Sequence, residues 1–354
     1  MKNKLIIVLG MHRSGTSLIT RSLFALDFDL GSNLMPAVKD NNDKGFWEDI
    51  DICTLNVEML TALNSNWCNV SMITEEEVDQ LKQQGYLFKA IELLQRKLEA
   101  TSTFAFKDPR VTKLLPFWKE VFKNCDSDLH YIIVLRNPLS VVKSLAKRDD
   151  IDDEQSYLLW ISHVISSLVE STNGKRVLLD YDLFMQYPDE QMHRVAKNLN
   201  LNINPDEFES FKSEFLDQNL RHSVFQPQDL SNDQACFPLA EEIYVSLLKV
   251  AEDYIALDDI NLQENIKKWI LDFQNNHYFL KLTDKLITRN FTLANQIVPE
   301  LKAVIAYKED IIAYKEAIIE NKDAELALIY NSRSWKITKP LRSITKFIQD
   351  FRRK

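Results

Sequence analysis

At 354 residues, with 45% hydrophobic and 27% charged residues, the chain is long enough to bury a sizeable core, which excludes disorder throughout. Its formal net charge of −9 excludes a general nucleic-acid binder, whose affinity rests on many Lys and Arg contacts to phosphates, so any anion site must be a local basic pocket. Cys53, Cys68, Cys125 and Cys236 are scattered with no C-x-x-C pair and no His at zinc-ligand spacing; a reducing cytoplasm is the simplest reading, and no metal site is expected.

The amino-terminal apolar run Leu5–Leu9 stops at Gly10 after about five residues, short of the apolar core of a signal peptide. No stretch approaches the roughly 18 apolar residues of a membrane span, so a soluble, cytoplasmic catalytic part is expected. Lys4–Leu9, Thr103–Phe106, His130–Leu135 and Arg176–Leu179 read as strands buried on both faces. Helical patterns separate them: Ser17–Leu26, Asp51–Leu63, Glu75–Glu99, Leu139–Lys147, Gln155–Ser171 and Glu190–Leu199. The alternation predicts an α/β fold, a doubly wound and mainly parallel sheet with ligands at the carboxyl ends of its strands.

After about residue 235 the strand patterns cease. Leu239–Tyr254 and Glu264–Asn290 read as amphipathic helices, and the expected organisation is a main domain over 1–235, a helical subdomain over 236–295, a helix over 296–330 and a tail over 331–354. Ala306-Tyr-Lys-Glu-Asp-Ile-Ile is followed by Ala313-Tyr-Lys-Glu-Ala-Ile-Ile, which places Val304, Tyr307, Ile311, Tyr314 and Ile318 on one seven-residue stripe. This is coiled-coil-like and makes 304–326 a candidate oligomer contact; an ordinary helix packing on its own domain is the alternative. The tail sets Arg333, Lys336, Lys339, Arg342, Lys346, Arg352, Arg353 and Lys354 against the one acid Asp350, interleaved with Trp335, Ile337, Leu341, Ile344, Phe347 and Ile348. That pattern suits a segment lying peripherally on an anionic membrane surface, at the inner face if the chain is cytoplasmic; a solvated tail is the alternative.

A strand ending at Leu9, the loop Gly10–Gly15 and a helix starting near Thr16 form a P-loop-type phosphate site, in which backbone N–H groups face an anion. Two of the chain's six glycines stand in this loop. Against G-x-x-x-x-G-K-[ST], Thr16 replaces the lysine that reaches β- and γ-phosphates. The cation is instead Arg13, with Ser14, Thr16 and Ser17 as hydroxyl donors, a set that suits one phosphosulfate without a bridging Mg²⁺. A Ser/Thr-rich helix cap is the alternative. Downstream, the strand His130–Leu135 ends in Arg136-Asn-Pro-Leu-Ser-Val-Val-Lys-Ser144, where Pro138 starts a helix. Arg136 at the strand end and Ser144 in the second helical turn are placed to converge on one phosphate.

These two elements, Arg13-Ser-Gly-Thr16 and Arg136/Ser144, resemble those of sulfotransferases that use 3′-phosphoadenosine 5′-phosphosulfate (PAPS). The chain is most similar to bacterial members through Gly10-Met-His-Arg-Ser-Gly-Thr-Ser17, Gly45-Phe-Trp-Glu-Asp49 and Lys107-Asp-Pro-Arg110; Leu179–Leu183 and Leu216–His222 match later segments. The resemblance covers roughly residues 1 to 230. It implies that Arg13, Ser14, the Gly15–Ser17 backbone and the Thr16 hydroxyl hold the donor's 5′-phosphate, and Arg136 and Ser144 its 3′-phosphate. Tyr181 would contact the adenine side and Arg221 would close over the 3′-phosphate; the product is adenosine 3′,5′-bisphosphate and no metal is required. The family's base is a histidine or a glutamate, and no histidine lies between His12 and His130, which leaves Glu48 or Asp49, with Glu48 preferred and Phe46 and Trp47 as its apolar setting.

Lys107 would stabilise charge on the sulfuryl group, and His12 would either contact that group or serve the loop structurally. Asp108 and Arg110 read as a structural pair, while His163 and Trp160 line either the acceptor pocket or the core. The stretch Ser332–Arg342 resembles a tail on bacterial enzymes that build cell-surface polysaccharides, which points to a carbohydrate hydroxyl as acceptor. A kinase-like P-loop phosphotransferase and a non-catalytic scaffold are the competing readings.

Overall fold

The computed structural model describes residues 2–38, 42, 44–172, 174–216, 225–293 and 297–352. Four strands, β1 (Asn3–Leu9), β2 (Thr103–Lys107), β3 (Ser127–Leu135) and β4 (Lys175–Asp180), form one sheet in the order β2-β1-β3-β4. Every neighbouring pair is parallel; Ile7 stands beside Phe106 on one side and Tyr131 on the other, and Leu135 pairs with Asp180.

The continuous apolar runs are explained by helices on both faces. Successive side chains of a strand point to opposite faces. Leu5, Ile7 and Leu9 therefore enter one apolar layer with Phe104, Phe106 and Ile133, while Ile6 and Val8 enter another with Ala105, Ile132 and Val134. The first layer is closed by the helices Ile50–Ala62, Tyr86–Ala100, Leu115–Lys123 and Asp153–Glu170, and Trp118 and Trp160 are fully buried there. The second is closed by Thr16–Ser22, Pro188–Leu199 and Pro205–Glu214, through residues such as Ile19, Met192 and Phe211. The fold is α/β with a doubly wound parallel sheet.

The single helical pattern over Glu75–Glu99 is two helices, Glu75–Gln83 and Tyr86–Ala100, because Gly85 adopts φ 85° between them. Thr74 and Glu77 form a reciprocal capping box at the start of the first. Two compact units are present, Met1–Thr288 and Arg289–Lys354. The helices Pro238–Ala251 and Ile260–Asn275 belong to the first unit, since Ile243, Leu247, Ile266 and Trp269 enter the same apolar layer as β1 and β3. In the second unit the helix Val298–Asn331 runs for 34 residues with none buried, followed by Arg333–Ile337 and Lys339–Arg352.

Candidate active site

The sharp turn after β1 is made by two residues in the left-handed region, Arg13 at φ 67° and Gly15 at φ 84°. Gly15 has a second constraint: a Cβ there would lie 2.0 Å from Cδ2 of Tyr181, so only glycine lets the ring lie against the loop. The Gly10 N–H donates to Thr112 Oγ1 at 3.0 Å, which ties the loop to the short helix Pro109–Lys113.

The segment that follows β3 meets this loop directly. Arg13 Nε donates to Ser144 Oγ at 2.8 Å, and Arg136 Nη1 donates to the Arg13 carbonyl at 2.8 Å. The Arg136 guanidinium lies 4.6 Å from the centre of the Tyr181 ring, and Trp160 Nε1 donates to the Arg136 carbonyl at 3.1 Å. Local sequence explains the arrangement: β3 ends at Leu135, Asn137 caps the next helix, and Pro138 occupies its first position. Burial, then the charges of Arg148 and Arg136, press the Arg13 guanidinium below its ordinary pKa, an environment that favours a nearby anion. Arg136 Nε is buried without a hydrogen-bond partner among the described residues.

Opposite this pair lies a buried ion-pair cluster. Lys107, the last residue of β2, places Nζ 2.5 Å from Glu48 Oε1 and 3.3 Å from Ser17 Oγ. Asn42 Nδ2 also donates to Ser17 Oγ, at 3.2 Å. Cys53 Sγ donates to Glu48 Oε2 at 3.4 Å, and Arg110 Nη1 stands 4.0 Å from the same oxygen. The setting of Glu48 is thus ionic, correcting the apolar one expected from Phe46 and Trp47. Trp47 turns away at φ 56° and packs between Phe24 and Phe215, with ring centres at 6.0 and 5.8 Å.

Asp49 is occupied elsewhere, accepting from the N–H groups of Asp51 and Ile52 as a helix cap and pairing with Lys97 at 2.7 Å. Asp108 pairs with Arg110 at 2.9 Å and accepts from Asn56 Nδ2 at 2.8 Å; burial pushes its carboxyl up. Donor atoms of Glu48, Cys53 and Asp108 lie within 4.8 Å of one another, but Lys107 and Arg110 already engage the two carboxylates, and burial pushes the Cys53 thiol up and keeps it protonated.

Both groups border one cleft of about 360 Å³ at the carboxyl end of the sheet. His12, Arg13, Gly15, Thr16, Ser17, Glu48, Lys107, Arg136 and Tyr181 line it, whereas the buried Ser14 and the half-buried Ser144 stand outside the lining. Arg221 lies outside the described residues. Six cationic side chains, Arg13, Lys44, Lys107, Arg110, Arg136 and Arg148, face two carboxylates, Glu48 and Asp149, in a chain whose net charge is −9. The local basic pocket demanded by the composition therefore exists.

His12 packs on Trp67 with ring centres 4.6 Å apart. Burial, then the charges of Arg110 and Arg148, hold its pKa well below the ordinary value, so the ring is neutral. Its Nε2 has no hydrogen-bond partner among the described residues. Trp67 and Arg148, whose guanidinium lies 5.5 Å from the Trp67 ring, were not legible in the sequence; no motif marks either. Trp160 and His163 are core residues, 0% and 2% exposed, and do not line the cleft.

No family model matches the chain, and no curated protein sequence does. Among solved structures, the chain is similar to the sulfotransferase domain of the Synechococcus PCC 7002 olefin synthase, at 14% identity over 72% of this chain and 96% of that one, with a TM-score of 0.38. A sulfotransferase domain from the curacin biosynthetic pathway is similar at 14% identity over 70% of this chain and 98% of that one, TM-score 0.40. Retinol dehydratase, in a complex with retinol and PAP, is similar at 11% identity over 77% and 82% of the two chains, TM-score 0.28.

Proposed function

We propose that the chain is a cytoplasmic sulfotransferase that moves a sulfuryl group from PAPS to a hydroxyl, that of a sugar in a bacterial surface glycan. The observation that carries this reading is the contact of Arg13 with Ser144 and of Arg136 with the Arg13 carbonyl, which brings the loop after β1 against the end of β3 123 residues later, with Arg13 and Arg136 both lining one cleft. A donor with two separate phosphate groups fits such a pair, and the partnerless Arg136 Nε fits a phosphate oxygen.

In the proposed reaction the acceptor oxygen bonds to sulfur as the bond from sulfur to the 5′-phosphate oxygen breaks. The acceptor proton passes to the Glu48 carboxylate, and the bond electrons stay with adenosine 3′,5′-bisphosphate. Arg13 and the Gly15–Ser17 N–H groups hold the 5′-phosphate, Arg136 and Ser144 hold the 3′-phosphate, and Tyr181 flanks the nucleotide. Lys107 reaches both Glu48 and Ser17, so a small rotation would carry its ammonium from the carboxylate toward the reacting sulfuryl group and free Glu48 to take the proton. The sugar acceptor rests on the resemblance of Ser332–Arg342 to tails of polysaccharide-building enzymes.

Calorimetry with adenosine 3′,5′-bisphosphate and with ATP, paired with a radiolabelled phosphosulfate donor, tests the reading. The bisphosphate should bind tighter than ATP, without Mg²⁺. ATP turnover without sulfuryl transfer would instead make the chain a phosphotransferase, and absence of bisphosphate binding would make it a scaffold.

A further inference from the structure

The tail is not used by the proposed chemistry, yet side-chain contacts tie its described helices together. Ser332 caps the helix Arg333–Ile337, its side chain accepting from the Trp335 N–H. Trp335 packs on Tyr330 with ring centres 5.1 Å apart and carries the Arg342 guanidinium 3.7 Å from its own ring centre. Arg342 also donates to the Trp335 carbonyl at 2.6 Å and to Thr338 Oγ1 at 2.5 Å, pinning the joint between the two short helices.

The helix that this joint fixes, Lys339–Arg352, is strongly two-faced. At about 100° per residue, Leu341, Ile344 and Ile348 fall within an arc of about 60°, and Lys339, Arg342 and Lys346 within a similar arc on the opposite side. Leu341, Ile344 and Ile348 are 66%, 58% and 48% exposed, so a row of large apolar side chains stands in water. The segment 331–354 carries eight basic residues against one acid, the reverse of the chain as a whole. No helix among the described residues is long and apolar enough to cross a membrane.

We propose that Lys339–Arg352 is an interfacial anchor that lies on a bilayer bearing anionic lipid headgroups, with Leu341, Ile344 and Ile348 at the headgroup–acyl boundary and its cations among the headgroups. Charge complementarity selects this occupant. A second copy would cover the apolar row but leave the cations without counter-charges, and a soluble polyanion would leave the apolar row in water. The inference is independent of the sulfotransferase reading, because it concerns surfaces that the cleft does not use.

The test is flotation of the full chain with vesicles. The protein should float with phosphatidylcholine vesicles containing about one third phosphatidylglycerol and not with pure phosphatidylcholine, and raising the salt to about 1 M should release it. Lys339→Gln and Lys346→Gln should each lower the partition coefficient roughly fivefold. Leu341→Ala with Ile344→Ala, which preserves helix propensity, should also lower it, whereas Lys322→Gln should not. Equal binding to neutral vesicles overturns the proposal, as does binding unaffected by the tail substitutions. A chain that ignores vesicles but sediments as a dimer sensitive to Leu341→Ala and Ile344→Ala also overturns it, in favour of a second copy.

Discussion

Glu48 and Lys107 are 5% and 2% exposed and lie 2.5 Å apart, so each is the other's compensation for leaving water. Removing one partner of such a pair strands the other, at a cost of about 3–5 kcal/mol. Lys107→Ala should therefore lower the melting temperature more than the double change Lys107→Met with Glu48→Gln, and equal losses would show that the pair is not coupled. Glu48→Gln alone keeps shape and a hydrogen-bond acceptor but leaves Lys107 without its counter-charge, so it should lower the melting temperature and abolish sulfuryl transfer without weakening bisphosphate binding in calorimetry. A retained rate would remove Glu48 from the chemistry. Arg136→Ala should weaken bisphosphate binding by about 1.5–3 kcal/mol, the range for lost charge-assisted bonds, or roughly ten- to 150-fold in Kd.

At the scale of elements, two glycines separate steric from conformational demand. Gly85 and Gly15 share a left-handed φ, 85° and 84°, but nothing lies within 4 Å of a Cβ at Gly85, whereas one at Gly15 meets the Tyr181 ring. Gly85→Ala should cost about 1–2 kcal/mol of backbone strain. Gly15→Ala should cost more in thermal denaturation and also reduce bisphosphate binding, because Tyr181 must move; equal costs would mean that the ring yields freely.

The strands were legible because a run such as Leu5–Leu9, apolar at every position, has few solutions other than a strand covered on both faces. That Arg13 and Arg136 stand at the carboxyl ends of β1 and β3 was legible because each sits at a fixed offset from a strand end, whereas the direct hydrogen bond from Arg13 to Ser144 was not. Much of the rest depends on distant partners. Asp284 accepts from Val70 and Ser71 N–H groups and from the Ser71 hydroxyl, across more than 200 residues, and no local pattern announces it. Likewise Trp47 reads as a neighbour of Glu48 along the chain, but its positive φ turns the two side chains apart.

Across the molecule, two buried groups give stability opposite responses to acid. Burial lowers His163 to about 4, so the folded chain resists its protonation, and the stability due to its neutral form is lost as pH falls from about 6.5 toward 4. Burial, with Asp182 nearby, raises Asp180 to about 7, so the folded state pays for an ionised carboxylate above that pH and is relieved as pH falls toward 3.8. Each contribution is on the order of 3–4 kcal/mol, and over pH 4 to 6.5 they largely cancel. Asp180→Asn keeps an acceptor for the Asp182 and Leu183 N–H groups that the side chain caps and removes the titration, while the amide NH2 replaces the oxygen that accepts from the Tyr244 hydroxyl, a change that adds a pH-independent offset. Its denaturation midpoint, measured against that of the wild type, should fall progressively on acidification from pH 7 to 4, while that of His163→Asn should rise over the same range. Differences that stay constant with pH would mean that neither group is held in its buried form, since only a folded-state preference for one protonation state can give stability a pH slope.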